Sequence, residues 1–320
     1  MQVLSIEVSK CADEVYKYIE IELRQLKNDN IDYTLDKIKN DGHESILCKV
    51  QEDKSQAKGT KQVYKALVLN VSNALADYII RCYEERLIRR IVNTNYCYFS
   101  QTDRKEILRE SLSIVKNEDK SFLNTLLQIR RRNIIVKSLM EYFESSNTII
   151  LDGFINFRLK EYMKDLEEIV EKAVDNFLME REYREFIRLL KYFVDIQEPK
   201  YENVHIIANN HGTYTLLDDR KEEITNECIK EYLNEISENE INYDDLLVSS
   251  LITLAPKKIT IHNISHFRNK ELLETIRNIF YNSVNICKGC SLCNIDSEND
   301  VNEIYNLYRS EKLEVPKNIF

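Results

Sequence analysis

Tryptophan is absent from this 320-residue chain, and proline and glycine number only 3 and 5. So few helix breakers and turn formers exclude collagen-like and disordered designs and predict that helix dominates. Long apolar runs are missing as well. None approaches the roughly 20 residues that span a bilayer, and the nearest, Leu246 to Leu254, carries Ser249, Ser250 and Thr253 and is read as a buried helix. The opening MQVLSIEVSKC lacks the basic segment and apolar run of a secretory signal. The expectation is a cytoplasmic protein with no membrane span, in which thiols stay reduced and the eight cysteines form no disulfide frame. Cys11, Cys48, Cys82, Cys97 and Cys228 stand among apolar neighbours and are read as small core residues.

Several catalytic patterns are absent too. Thr148 to Asp152 resembles an apolar strand ending in a metal-binding aspartate, but no Gly-x4-Gly-Lys-Ser/Thr loop accompanies it, which disfavours a nucleotide hydrolase. With only five histidines, no Ser-His-Asp or Cys-His arrangement can be assembled from spacing. The carboxylate pairs Glu167-Glu168 and Glu222-Glu223 lie among Arg and Lys on helical patterns, as solvated faces do.

What the chain does have is charge, unevenly placed. The net charge is −9, yet Lys61 to Met140 holds 15 Lys and Arg against 8 Asp and Glu. The triplet Arg130, Arg131 and Arg132 is the densest basic point and a weak candidate for contacting nucleic-acid phosphates. Interleaved acidic residues argue against it, docking of the acidic C-terminal part on this segment is the alternative, and the partner expected for the chain is an unknown protein.

The periodicities predict an α+β protein: a small α/β unit over 1–58, a helical region over 59–198, a mixed α/β unit over 199–295 and an acidic tail over 296–320. The first unit reads as a strand at Val3 to Val8, a helix from Cys11 to Leu26, and two strands joined at Asp41-Gly42. In the middle, Ser100 three residues before Asp103 marks a helix start. After Asp152-Gly153, Ile155, Leu159, Tyr162, Leu166, Ile169, Ala173 and Phe177 form one seam of a long helix, and a second helix carries Tyr183, Phe186, Ile187, Leu190 and Phe193. The third unit reads as a hairpin of VHIIA and TYTLLD, helices at Glu222 to Ile236 and Tyr243 to Leu254, and then a strand, helix and strand over KKITIHNI, NKELLETIRNIF and SVNIC. Such a βαβ places its strands side by side and parallel.

The sharpest chemical signal follows. Cys287, Cys290 and Cys293 form a Cys-x2-Cys-x2-Cys run at the carboxyl end of that second strand, where α/β sheets favour sites. Three clustered thiolates can share a metal or exchange as a redox pair. Tetrahedral zinc needs a fourth ligand, which His262 in the neighbouring strand, or His266 just beyond it, can supply. An iron–sulfur cluster is the less favoured cofactor, because no cysteine lies downstream and Cys228 or a second subunit must complete it. Thiol redox chemistry through Cys287 and Cys290 ranks third, since a thioredoxin-like fold continues its sheet past the cysteines.

Across Leu151 to Ile207, the order Gly-Phe-Ile-x-Phe-Arg-Leu-Lys, then Glu-Tyr-x-Glu-Phe-Ile-x-Leu-Leu, then Tyr-Phe-Val-Asp-Ile-Gln-x-Pro closely resembles the YtxC-like sporulation proteins of endospore-forming Firmicutes. The likeness is strongest from about residue 150 to 293. It implies a sporulation-associated structural or interaction factor more readily than an enzyme, and carries over no catalytic or binding residue. Phe154, Phe157, Arg158, Tyr192 and Phe193, conspicuous within it, are read as core aromatics with one solvent-facing arginine.

Overall fold

The structure, a computed structural model, describes residues 2–9, 11–28, 31–40, 43–50, 60–116, 122–209, 212–224, 242–267 and 269–293. Cys228, the helix expected at Glu222 to Ile236 beyond residue 224, and the acidic tail lie outside them. The architecture is mixed α+β, as the periodicities predict, and the chain divides into two compact units, Met1–Met179 and Glu180–Phe320.

The first unit begins with β1 (Gln2–Val8), α1 (Ala12–Asn28), β2 (Tyr33–Asn40) and β3 (His43–Val50). Alternation along β1 turns Leu4, Ile6 and Val8 inward, against Val15, Ile19, Leu23 and Leu26 from one face of α1. A fourth strand, β4 (Thr148–Ile150), arrives from far along the chain and pairs parallel to β1 with Ile6 opposite Ile149, giving the order β2-β3-β1-β4. Helices α2 (Thr60–Asn95), α3 (Gln101–Lys116), α4 (Phe122–Ser145) and α5 (Leu151–Phe157) share this core. The Ser100 hydroxyl caps α3 by accepting from the Asp103 N–H at 3.1 Å, as its sequence spacing suggests.

Two helical expectations are corrected. The seam beginning at Ile155 is interrupted: the Arg158 N–H closes α5 on the Phe154 carbonyl, and a new helix, α6 (Lys160–Ile196), starts as the chain turns to bury Leu159. That helix then runs without a break through the region read as a separate second helix. The aromatic reading is also revised. Phe154 is buried, but Phe157, Tyr192 and Phe193 are 74%, 60% and 51% exposed. Late in α6 it is Ile187, Leu190 and Val194, three and four residues apart, that meet the apolar core of the second unit, so Phe186 and Phe193, each one position away, point elsewhere.

The second unit holds a sheet of order β6-β5-β7-β8, formed by β5 (Asn203–Ala208), β6 (Tyr214–Leu217), β7 (Lys258–His262) and β8 (Val284–Ile286). β5 and β6 form the expected antiparallel hairpin, while β5, β7 and β8 run parallel. Helix α7 (Tyr243–Leu254) starts at Asn242, whose side chain accepts from the Asp244 N–H, and ends on Ala255 in the left-handed region. Helix α8 (Lys270–Phe280) starts at Asn269, which accepts from the Glu271 and Leu272 N–H groups. Val204 and Ile206 of β5 and Ile259 and Ile261 of β7 share one apolar cluster with Leu272, Leu273, Ile276 and Ile279 of α8. Burial of each such side chain stabilises the unit by about 1.5–3 kcal/mol. Strict alternation leaves Asn203, His205, Thr260 and His262 on the other face of the same two strands.

Candidate metal centre

The strand pairing of β7 with β8 decides where the cysteines fall. Ile261 lies opposite Ile286, and the Cys287 N–H continues the ladder by donating to the Ile261 carbonyl at 2.8 Å. Cys287 therefore falls at the end of β7, level with His262 in the register of the two strands. Gly289, at φ 124°, then turns the chain back, a conformation L side chains rarely adopt. A second turn follows, in which the Cys293 N–H donates to the Cys290 carbonyl at 2.9 Å. In both turns a backbone N–H two residues on points at sulfur: Gly289 towards Cys287, and Leu292 towards Cys290 at 3.3 Å.

These turns gather Cys287, Cys290, Cys293 and His262 so that one ligand atom of each lies within 4.8 Å of all the others. Cys293 Sγ stands 3.8 Å from Cys287 Sγ and 3.9 Å from Cys290 Sγ. The His262 Nδ1 atom is 3.4 Å from Cys290 Sγ and 3.5 Å from Cys293 Sγ. Those separations exceed an S–S bond of about 2.05 Å, and all three thiols are free. They match instead the edges of a zinc tetrahedron, about 3.8 Å between sulfurs and about 3.5 Å from sulfur to nitrogen for ordinary Zn–S and Zn–N lengths.

His262 is buried and the three cysteines are partly so. Burial, followed by the neighbouring His205 and Lys221, lowers the His262 pKa, which keeps the imidazole neutral and its lone pair available. Burial pushes the Cys287 thiol up to about 11. At Cys290 burial opposes ionisation, yet the Leu292 N–H and the adjacent thiols bring the pKa below its ordinary value. Of these two, the Cys290 thiolate forms the more readily, and Cys287 needs a cation to stabilise its charge.

The imidazole also has a partner on its far side. His262 Nε2 lies 3.0 Å from His205 Nδ1 in β5, and His205 Nε2 lies 2.9 Å from the Asn203 amide nitrogen. Sequence reasoning missed His205. The signal was present, because alternation puts residues 203 and 205 on the face opposite Val204 and Ile206, but it needed the parallel register of β5 with β7. His266, the other candidate, is turned away and approaches the Ala208 carbonyl at 3.4 Å.

The remaining site candidates, Arg130, Arg131 and Arg132, each have a carboxylate partner within the chain. Arg130 reaches Asp165 at 3.2 Å and Arg132 grips Asp77 through two nitrogens at 2.7 and 3.2 Å. Arg131 is buried, 3.6 Å from Glu84 and 3.3 Å from the Val115 carbonyl. Two cysteine readings are corrected: Cys48 is buried, but Cys11 and Cys97 are exposed. Cys11 precedes α1 at φ 61° and Cys97 follows the end of α2, so each lies outside the face its helix turns to the core.

Fold and site together define an α+β protein with a Cys3His candidate metal centre at one end of its second sheet. The chain belongs to the YtxC-like family, which it matches over residues 69–285. It is 26% identical, over 212 residues, to the uncharacterized protein YtxC of Bacillus subtilis (strain 168), an alignment covering 66% of this chain and 73% of that one. No solved structure matches. The family match includes His205 and His262 and stops two residues before Cys287. Among the described residues, no helix is long and apolar enough to cross a membrane.

Proposed function

We propose that this chain is a sporulation-associated structural or interaction factor of the cytoplasm whose second unit is tied together by one zinc ion, held by Cys287, Cys290, Cys293 and His262. The observation that supports it is the ligand spacing, four of the six separations being 3.4 to 3.9 Å and all within 4.8 Å, which suits a single tetrahedral ion. An iron–sulfur cluster attaches its thiolates to different irons and spreads them wider, so the same spacing favours a mononuclear site. Four protein ligands complete zinc's coordination and leave no position for substrate, as in structural rather than catalytic sites. Zinc would link β7 to the turns beyond β8, an edge strand of three residues with few ladder bonds of its own. Membership in the YtxC-like family and the resemblance to its sporulation proteins support the cellular role. Internal carboxylate partners for Arg130, Arg131 and Arg132 favour a protein partner over nucleic acid.

The test is anaerobic purification followed by metal analysis and a visible spectrum. One zinc per chain without colour is expected, falling below a tenth in Cys290→Ser. A charge-transfer band near 400 nm with iron and sulfide, or a metal-free chain that takes up no zinc, would overturn the reading.

A further inference from the structure

The histidine ligand stands at the head of a hydrogen-bond chain that crosses two strands. Beyond His262 Nε2 and His205 Nδ1 at 3.0 Å, and His205 Nε2 and Asn203 Nδ2 at 2.9 Å, the Asn203 Oδ1 atom accepts from the Thr260 hydroxyl at 3.1 Å. A neutral imidazole carries one N–H and one lone pair, so the direction of every bond in this chain is fixed once one is fixed. With the amide nitrogen of Asn203 donating to His205 Nε2, the proton of His205 is on Nδ1 and is donated to His262 Nε2. The proton of His262 then sits on Nδ1, aimed at the sulfurs of Cys290 and Cys293. That is the direction of a site without metal, because the lone pair a cation needs is covered by hydrogen.

We infer that metal binding at this site, read as above, reverses the chain His262–His205–Asn203–Thr260, with Asn203 as the hinge that permits the reversal and His205 and Asn203 as positioning residues for the ion. A cation on His262 Nδ1 requires the proton on Nε2, donated to His205 Nδ1. His205 then carries its own proton on Nε2 and needs an acceptor. Asn203 provides one by turning its amide about the final side-chain bond, presenting oxygen to His205 and nitrogen to Thr260, whose hydroxyl accepts as readily as it donates. His205 Nδ1 passes its proton to His262 Nε2, the His262 Nδ1 proton displaced by the cation leaves to water, and His205 Nε2 takes up one proton from water, so neither histidine changes charge. The facing ring nitrogens stand 3.0 Å apart, the spacing of one proton shared between two rings. The oxygen and nitrogen of the amide have nearly the same size, so the switch needs no movement of the strands. An outer partner of this kind contributes about 10–100-fold to metal affinity.

The experiment compares the full chain, metal-free and with one equivalent of zinc, by long-range 1H–15N correlation of the histidine rings. The expected result is Nδ1–H on both His205 and His262 without zinc and Nε2–H on both with it. Identical His205 tautomers in the two states would overturn the inference even where zinc binds. Zinc competition against a chromophoric chelator supplies a second readout. Asn203→Asp, which offers His205 only acceptor atoms, is expected to hold zinc at least as tightly as wild type, and Asn203→Leu about tenfold or more weakly. Equal affinity in all three would remove Asn203 from the site while leaving the Cys3His centre standing. Failure of the wild-type chain to bind zinc at all would instead defeat the metal reading itself.

Discussion

Cys287 and Ile261 are joined by a backbone hydrogen bond of 2.8 Å, the last rung of the β7–β8 ladder, and that rung aligns a thiol with the imidazole one residue further on. The end of the β7–β8 pairing and the candidate metal site are consequently one mechanical unit. Stripping zinc with a strong chelator should raise amide hydrogen exchange over residues 284–293 and the end of β7, while β1 and β3 exchange as before. Hydrogen-exchange mass spectrometry reads both regions in one run, and unchanged exchange at 284–293 would separate the ion from the strand.

Gly289 makes the first turn possible. At φ 124° it has no neighbour within 4 Å of a would-be Cβ, so substitution meets strain in the backbone rather than a clash. Gly289→Ala is expected to cost about 1 kcal/mol or more and to weaken zinc binding. Chelator competition and urea titration check the two parts; wild-type values in both would show that the turn relaxes.

Thiol chemistry should divide six of the eight cysteines into three groups. Cys48, buried in the core with its pKa pushed up to about 12 by burial, should resist iodoacetamide until the chain unfolds. Cys11 and Cys97 are exposed and should label in the native protein. Cys287, Cys290 and Cys293 should be protected with zinc bound and label after chelation. Peptide mass spectrometry resolves all three groups, and labelling of Cys48 in the native state would contradict its placement.

In the first unit, the Tyr162 hydroxyl donates to Glu84 at 2.7 Å with Arg131 on the other side, all three buried. Arg131→Ala leaves the carboxylate without its cation and should destabilise by about 3–5 kcal/mol. A nucleic-acid assay that substitutes Arg131 would therefore measure unfolding, and Arg130 and Arg132 are the informative positions. Burial raises the Glu84 pKa above its ordinary 4.5, despite opposition from Tyr162 and Arg131. A folded pKa above the unfolded one means that this group favours folding most below about pH 4.5 and progressively less as pH rises through the folded value. The stability of wild type relative to Glu84→Gln should fall over that window, as urea titrations at several pH values would show; a rise would reverse the assignment.

Local signals carried much of this structure, and non-local pairing carried the rest. The βαβ formed by β7, α8 and β8 was legible because the residue period switches from two to 3.6 and back within thirty residues, and that pattern alone puts Cys287 next to His262. The arrival of β4 beside β1 was not legible, since three residues pair across a separation of more than a hundred. His205 was hidden for a related reason: its role depends on a register between strands, and nothing in VHIIA specifies that register. Phe157, Tyr192 and Phe193 misled because aromatic residues suggest burial, whereas the direction each faces depends on which neighbouring residues already fill the core.

Three of the four ligands occupy one stretch of seven residues after the last described strand, while the fourth belongs to a strand held by the apolar core whether or not an ion is present. The β8 edge and the turns beyond it therefore lean on the site, while the apolar core of the sheet does not. Changes confined to residues 287–293 leave the apolar positions Ile259 and Ile261 untouched, so a lineage can alter the candidate ligands without redesigning the core.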